Sequence, residues 1–138
     1  MNREKKAPTI LAIDDNKDFL WILQTLIGAM GYELAVCTSV EEGLSLTQKL
    51  MPEVIFCDLI LPGALSGFDF IRKVRQQTST QHLPVCALTA YSGDDLHKEI
   101  SLQGFNGVLI KPVRFKDLQD FIHKYKVPNV PTSASMSN

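Results

Sequence analysis

No stretch of this chain stays apolar for the roughly 20 residues that a membrane-spanning helix needs. It also lacks the charge excess of a nucleic-acid-binding surface, since 14 basic residues stand against 15 acidic ones and leave a net charge of −1. Its opening, "MNREKKAP", is charged with no apolar segment behind it, which excludes a secretory signal. Cysteines number three, and no two have the spacing of metal ligands, so zinc is not expected. Cys37, Cys57 and Cys86 each sit inside an apolar run. Isolated thiols in odd number read as small core residues of a protein kept in a reducing cytosol. The expectation is a cytoplasmic protein with neither membrane nor nucleic acid among its partners.

What the chain does have is a regular alternation. Its 138 residues suffice for one domain with one sizeable core. "TILAI" (9–13), "ELAVC" (33–37), "VIFC" (54–57), "PVCAL" (84–88) and "GVLI" (107–110) are short runs, apolar at consecutive positions. That is the pattern of parallel strands covered on both faces. Between them lie segments of helical period. The first carries Phe19, Ile22, Leu23, Leu26, Ile27 and Met30 on one face, with Gly31 closing it. The second opens with Ser39 and Glu42 at capping-box spacing. The third follows Ser66-Gly67 and buries Phe68, Ile71 and Val74; the fourth offers only Leu96, Ile100 and Leu102; the fifth carries Phe115, Leu118, Phe121, Ile122 and Tyr125. Strand and helix repeat five times, which predicts a doubly wound α/β sandwich over 9–125. Residues 1–8 form an N-terminal extension. "KVPNVPTSASMSN" (126–138), with two prolines and no amphipathic period, reads as a disordered tail, either a linker stub or a docking segment.

Right-handed crossovers bring every strand's carboxyl end to one edge, where open parallel sheets bind ligands. After the first strand come Asp14 and Asp15. The third ends on Asp58, the fourth on Thr89 and the fifth on Lys111. Each alone is an ordinary turn or cap residue. Together they place three carboxylates, a hydroxyl and an amine on one edge. Close carboxylates tolerate one another at neutral pH when a hard cation sits among them, and an all-oxygen site suits Mg²⁺. Asp58 is then also a candidate nucleophile, because carboxylates form acyl phosphates. Lys111 and Thr89 would bind oxygens of the transferred group, with catalysis by positioning and charge neutralisation.

"ILAIDDN", "VIFCDLILP", "ALTAY" and "LIKP", in this order, resemble the receiver domain of two-component response regulators, the family of the chemotaxis response regulator. The resemblance spans about 9–125. It implies a five-stranded parallel sheet of order 2-1-3-4-5, a flavodoxin-like (βα)5 sandwich. It implies phosphorylation of Asp58 by a phosphohistidine of a sensor histidine kinase or phosphotransfer protein. Asp15, Asp58 and the Ile60 carbonyl would bind Mg²⁺ directly, Asp14 largely through water. Thr89 would be the switch hydroxyl, Lys111 the phosphate counter-ion, and the Lys111–Pro112 bond cis. Signalling would run through phosphorylation-dependent contacts with a downstream protein, including a homodimer, or through a phosphorelay.

Three features depart from the family pattern. Val108 stands where an aromatic is common, which puts the usual threonine–aromatic coupling in question. "LPGALSG" is one residue longer than the common loop. No output domain follows, so a stand-alone receiver is expected. The rival readings are a non-phosphorylated protein-binding module and an aspartate-nucleophile phosphohydrolase. The first should lack one of the charged residues, and none is missing. The second wants an acid two places after the nucleophile, where Ile60 stands. A dinucleotide binder needs a glycine-rich first turn, and "DDNKD" has no glycine. His82, His97 and His123 read as surface residues. Trp21 lies off the apolar stripe of the first helix, with Leu20 near that edge, so both are candidates for partner contact. In the family, the residues two places past the phosphoacceptor and the switch threonine flank the approach of hydrolytic water. Here they are Ile60 and Tyr91, which predicts slow loss of the phosphoryl group.

Overall fold

The computed structural model describes residues 9–125. Both expected terminal segments, 1–8 and 126–138, lie outside the described residues. Strands β1 (Thr9–Ile13), β2 (Glu33–Cys37), β3 (Val54–Asp58), β4 (Val85–Thr89) and β5 (Gly107–Ile110) alternate with α1 (Lys17–Ala29), α2 (Val40–Leu50), α3 (Gly67–Gln76), α4 (Asp94–Leu102) and α5 (Phe115–Tyr125). The strands form one parallel sheet in the order β2-β1-β3-β4-β5. The expected fold is therefore the observed one. β3 and β4 each run one residue further than their apolar runs, so Asp58 and Thr89 are strand residues rather than loop residues.

Side chains alternate across a strand, and two cores result. Leu11, Ile13, Ile55, Cys57, Val85 and Ala87 pack under α2, α3 and α4. Ile10, Ala12, Val54, Phe56, Cys86 and Leu88 pack under α1 and α5. All three cysteines are buried and free, as core residues should be. Burial pushes Cys37 up to about 12, and Glu42 adds to the shift. Edge strands β2 and β5 are only half covered, because neighbours flank them on one side alone.

Several helix faces differ from expectation. On α1 the buried residues are Leu20, Leu23 and Ile27, while Ile22 is exposed. Leu20 is thus core and not partner surface; the stripe is rotated so that Leu20, Leu23 and Ile27 enter the core, with α1 lying beside β2. Trp21 is 67 % exposed, as its position predicted. On α3, Phe70 takes the deep position, with Phe68 only partly buried. Leu102 ends α4 at 82 % exposure, beyond reach of the sheet. Ser39 caps α2 by accepting the Glu42 N–H at 3.2 Å, but Glu42 answers to Thr38 N rather than to Ser39. The complete capping box belongs to α3, where Ser66 N donates to Asp69 Oδ2 at 2.7 Å. His82 and His123 are exposed, whereas His97 is half-buried, with Nε2 enclosed and without a hydrogen bond.

No described helix is long and apolar enough to cross a membrane.

Candidate functional site

The strand alternation that builds the cores also aims the site. Asp14 continues the parity of Ile10 and Ala12, and Asp58 that of Val54 and Phe56, so both belong to the α1–α5 face. Lys111, one residue past β5, continues the parity of Leu109 and reaches the same face. Its ammonium lies 2.7 Å from Asp14 Oδ2 and 3.1 Å from Asp58 Oδ2. Thr89 shares the parity of Val85 and Ala87, on the α2–α4 side. Its hydroxyl accepts the Tyr91 N–H at 3.1 Å, and its carbonyl accepts the Lys111 N–H at 2.7 Å. Val108, on the same side, packs partly buried against that core.

Asp14 is fully buried, Asp58 nearly so, and Asp15 exposed. Asp14 N donates to Cys37 O at 3.1 Å, extending the β1–β2 ladder past the strand end. Asp14 Oδ1 accepts the Asn16 N–H at 2.9 Å, and Asp58 Oδ1 the Ile60 N–H at 3.2 Å. Asp14 Oδ2 has no aligned hydrogen bond, only the ion-pair contact with Lys111. Burial pushes the Asp58 carboxyl above its ordinary range and the Asp14 charge adds to it; Lys111 and the Ile60 N–H pull back without cancelling the shift. Burial works against the Lys111 ammonium, but contact with Asp14 and Asp58 more than reverses it, so its pKa stands above the ordinary value.

One carboxylate oxygen each from Asp14, Asp15 and Asp58 fall within 4.8 Å of one another. Three carboxylates facing one ammonium leave excess negative charge in a partly buried place. With the unaligned Asp14 Oδ2, that donor set fits a hard divalent cation. The Ile60 side chain points outward, 65 % exposed, and Tyr91 is exposed as well.

Two residues of the site escaped sequence reading. Phe19, assigned to the apolar stripe, has its ring under the Lys111 ammonium, 4.5 Å from Nζ to the centroid. Asn16 caps α1 by accepting the Phe19 N–H at 3.0 Å while its own N–H holds Asp14. The signal for Asn16 was present, a cap residue directly after the acid pair. A close approach adds a third constraint. A Cβ on Gly67 would stand 2.3 Å from Asp58 O and 2.8 Å from Leu59 Cα, so α3 begins against the strand end that carries Asp58. The Lys111–Pro112 bond is cis, as expected.

The family model of the response regulator receiver domain matches residues 10–123. Among curated proteins, the chain is 31% identical over 116 residues to an uncharacterized 14.6 kDa protein in the sodA1 3′ region of Leptolyngbya boryana, covering 84% of this chain and 88% of that one. It is 32% identical over 108 residues to the transcriptional regulatory protein AfsQ1 of Streptomyces coelicolor, covering 78% of this chain but only 46% of that protein. Among solved structures, the chemotaxis response regulator CheY4 of Vibrio cholerae superposes with a TM-score of 0.80 at 26% identity, covering 87% of this chain and 99% of that one. A matching family model over most of the chain, on a fold and strand-end chemistry that agree with it, shows that the chain belongs to the response regulator receiver domain family.

Proposed function

We propose that this receiver accepts a phosphoryl group on Asp58 from a phosphohistidine of a histidine kinase or phosphotransfer protein. It then signals through phosphorylation-dependent protein contacts or passes the group along a relay. The observation that carries this reading is the Lys111 ammonium held between Asp14 and Asp58 beside the acidic trio.

An Asp58 carboxylate oxygen attacks phosphorus in line with the phosphorus–nitrogen bond. That bond breaks, its electron pair stays on the imidazole nitrogen, and the ring leaves neutral once that pair has taken a proton. The product is an aspartyl phosphate. With acetyl phosphate the phosphorus–oxygen bond breaks instead and acetate leaves. Lys111 neutralises charge on the phosphoryl oxygens, a positioned cation in a partly buried site. Thr89, whose hydroxyl oxygen accepts the Tyr91 N–H, has its hydroxyl proton free to turn toward a phosphoryl oxygen. Asp14, Asp15 and Asp58 would hold Mg²⁺, with the Ile60 carbonyl as a further ligand. When bound, Mg²⁺ supplies charge neutralisation to attacking carboxylate and phosphoryl oxygens. Trp21, exposed on the helix that starts beside the acids, is the residue we assign to contact with the donor.

The test is acid-labile labelling by acetyl phosphate with and without Mg²⁺. Wild type should label only with the metal, and Asp58→Asn should lose the label altogether. Equal labelling of both would sink the assignment. Trp21→Ala should keep labelling by acetyl phosphate but slow transfer from a phosphohistidine donor. Equal slowing with both donors would remove Trp21 from the docking surface.

A further inference from the structure

Lys111 has three N–H donors and no acceptor. Two of its neighbours are carboxylate oxygens, at 2.7 and 3.1 Å. The third is the face of Phe19, 4.5 Å from Nζ to the ring centroid. An aromatic face is negative and attracts a cation, more strongly where water is partly excluded. The Lys111 side chain is only 23% exposed.

The placement of this ring is built into the local chain. Asn16 N donates to Asp14 Oδ1 at 2.9 Å, and Asn16 Oδ1 accepts the Phe19 N–H at 3.0 Å. The next residue is also tied back, with Leu20 N donating to Asn16 O at 3.0 Å. One residue therefore orients both the carboxylate and the ring that face the ammonium. Phe19 itself is only partly buried and packs at the margin of the α1–α5 core. It serves the core less than Leu20, Leu23 and Ile27 do.

We propose that Phe19 is a positioning residue for Lys111 in phosphoryl acceptance: its π-face holds the ammonium over the acidic site and leaves the N–H groups that now face Asp14 and Asp58 to turn toward the phosphoryl oxygens. This rests on the assignment of Asp58 as phosphoacceptor. A carboxylate in place of the ring would also attract the ammonium, but it would compete with the phosphoryl group for donors. An aliphatic side chain would exclude water without attracting the charge, and a free lysine chain loses rotamer freedom when it is fixed. The ring attracts over a broad face, so Nζ can slide from Asp58 Oδ2 toward a phosphoryl oxygen while it stays over the ring.

The experiment replaces Phe19 in the full chain by Leu, Tyr and Trp, and by phenylalanines carrying one, two and three ring fluorines. Fluorination drains the π-face while barely changing ring size. The readout is the initial rate of Asp58-dependent labelling by saturating acetyl phosphate with Mg²⁺, alongside the thermal midpoint. The rate should fall stepwise along the fluorine series at nearly constant midpoint. It should stay near wild type for Tyr and Trp, and drop roughly three- to tenfold for Phe19→Leu. A fluorine series with a flat rate overturns the proposal, even if Phe19→Leu is slow, because only packing would then matter. Should wild type itself take no Asp58-dependent label, the phosphoacceptor assignment fails and this inference with it. Labelling by wild type with a flat series overturns the role of Phe19 alone.

Discussion

Arg75, at the amino-terminal edge of the sheet, and Lys111, at the carboxyl-terminal edge, are both partly hidden cations, and their partners differ in kind. Arg75 donates Nε to Gly104 O at 3.0 Å, Nη1 to Gln81 O at 3.0 Å and to Leu83 O at 2.7 Å, and Nη2 to Asn106 Oδ1 at 2.8 Å. Asn106 Oδ1 in turn accepts Val85 N at 2.8 Å. These partners are neutral, and they tie the end of α3 to the starts of β4 and β5. Lys111 faces carboxylates in excess, one with an oxygen that has no aligned hydrogen bond. Burial disfavours the charge of Asp58, and the fold tolerates it. A satisfied polar network stabilises a fold; a crowded one stores unmet binding capacity, which a ligand can use. The same sheet thus has a structural end and a reactive end.

The largest expected contrast is in stability. Arg75→Ala leaves several carbonyls without a charged donor and should cost about 2–4 kcal/mol, lowering the thermal midpoint by on the order of 10 °C. Asp58→Asn, read in metal-free buffer, should raise the midpoint, because it removes a charge the fold disfavours. Differential scanning calorimetry decides; a drop for both variants would erase the distinction between the two ends.

A smaller effect is expected at the rim of the reactive end. Ile60 and Tyr91 stand 65% and 59% exposed, two residues past Asp58 and Thr89. Apolar bulk there should shield an aspartyl phosphate from attacking water. Ile60→Asn/Tyr91→Glu should shorten the life of the labelled state on the order of tenfold, by offering groups that orient a water. Unchanged decay in excess Mg²⁺ would show that neither side chain is the shield.

The smallest effect concerns the α3 cap, which lies on the reactive edge, where α3 begins against the strand end that carries Asp58. The Ser66 N–H, with Arg72 assisting, holds the Asp69 carboxyl below its ordinary range. Its folded value is thus below its unfolded value, so the unfolded chain binds more protons in that window. The stabilisation is complete above the ordinary carboxylate range and is lost as pH falls through the lowered value. Asp69→Asn should therefore be less stable than wild type at neutral pH, and the gap should close in acid. Denaturant midpoints at several pH values would show it; a gap that persists in acid would mean that charge is not the source.

Strand positions and strand ends were legible because apolar runs and the residues that close them are local signals, whereas the sheet order 2-1-3-4-5 came from the family resemblance. Asp14, Asp15, Asp58 and Lys111 do come together, and all three cysteines are core. Helix faces were less legible. Phe68 and Phe70 are both apolar within α3, and only packing beneath the sheet chose Phe70 for the deep position. Leu20 looked marginal beside Ile22, yet the rotation of α1 on the sheet buried the first and exposed the second. Ser39 and Glu42 had the spacing of a capping box, but the carboxylate accepts from Thr38 N instead.

By itself the sequence determined which chemical groups close each strand, since period and composition are written residue by residue. Alternation across the strands then assigned Asp14, Asp58 and Lys111 to one face and Thr89 to the other. Tertiary structure alone decided the partners across the site. Lys111 meets a carboxylate 53 residues away and an aromatic ring on the first helix. Such meetings depend on strand register and helix rotation, which every packed neighbour sets together and no local stretch encodes.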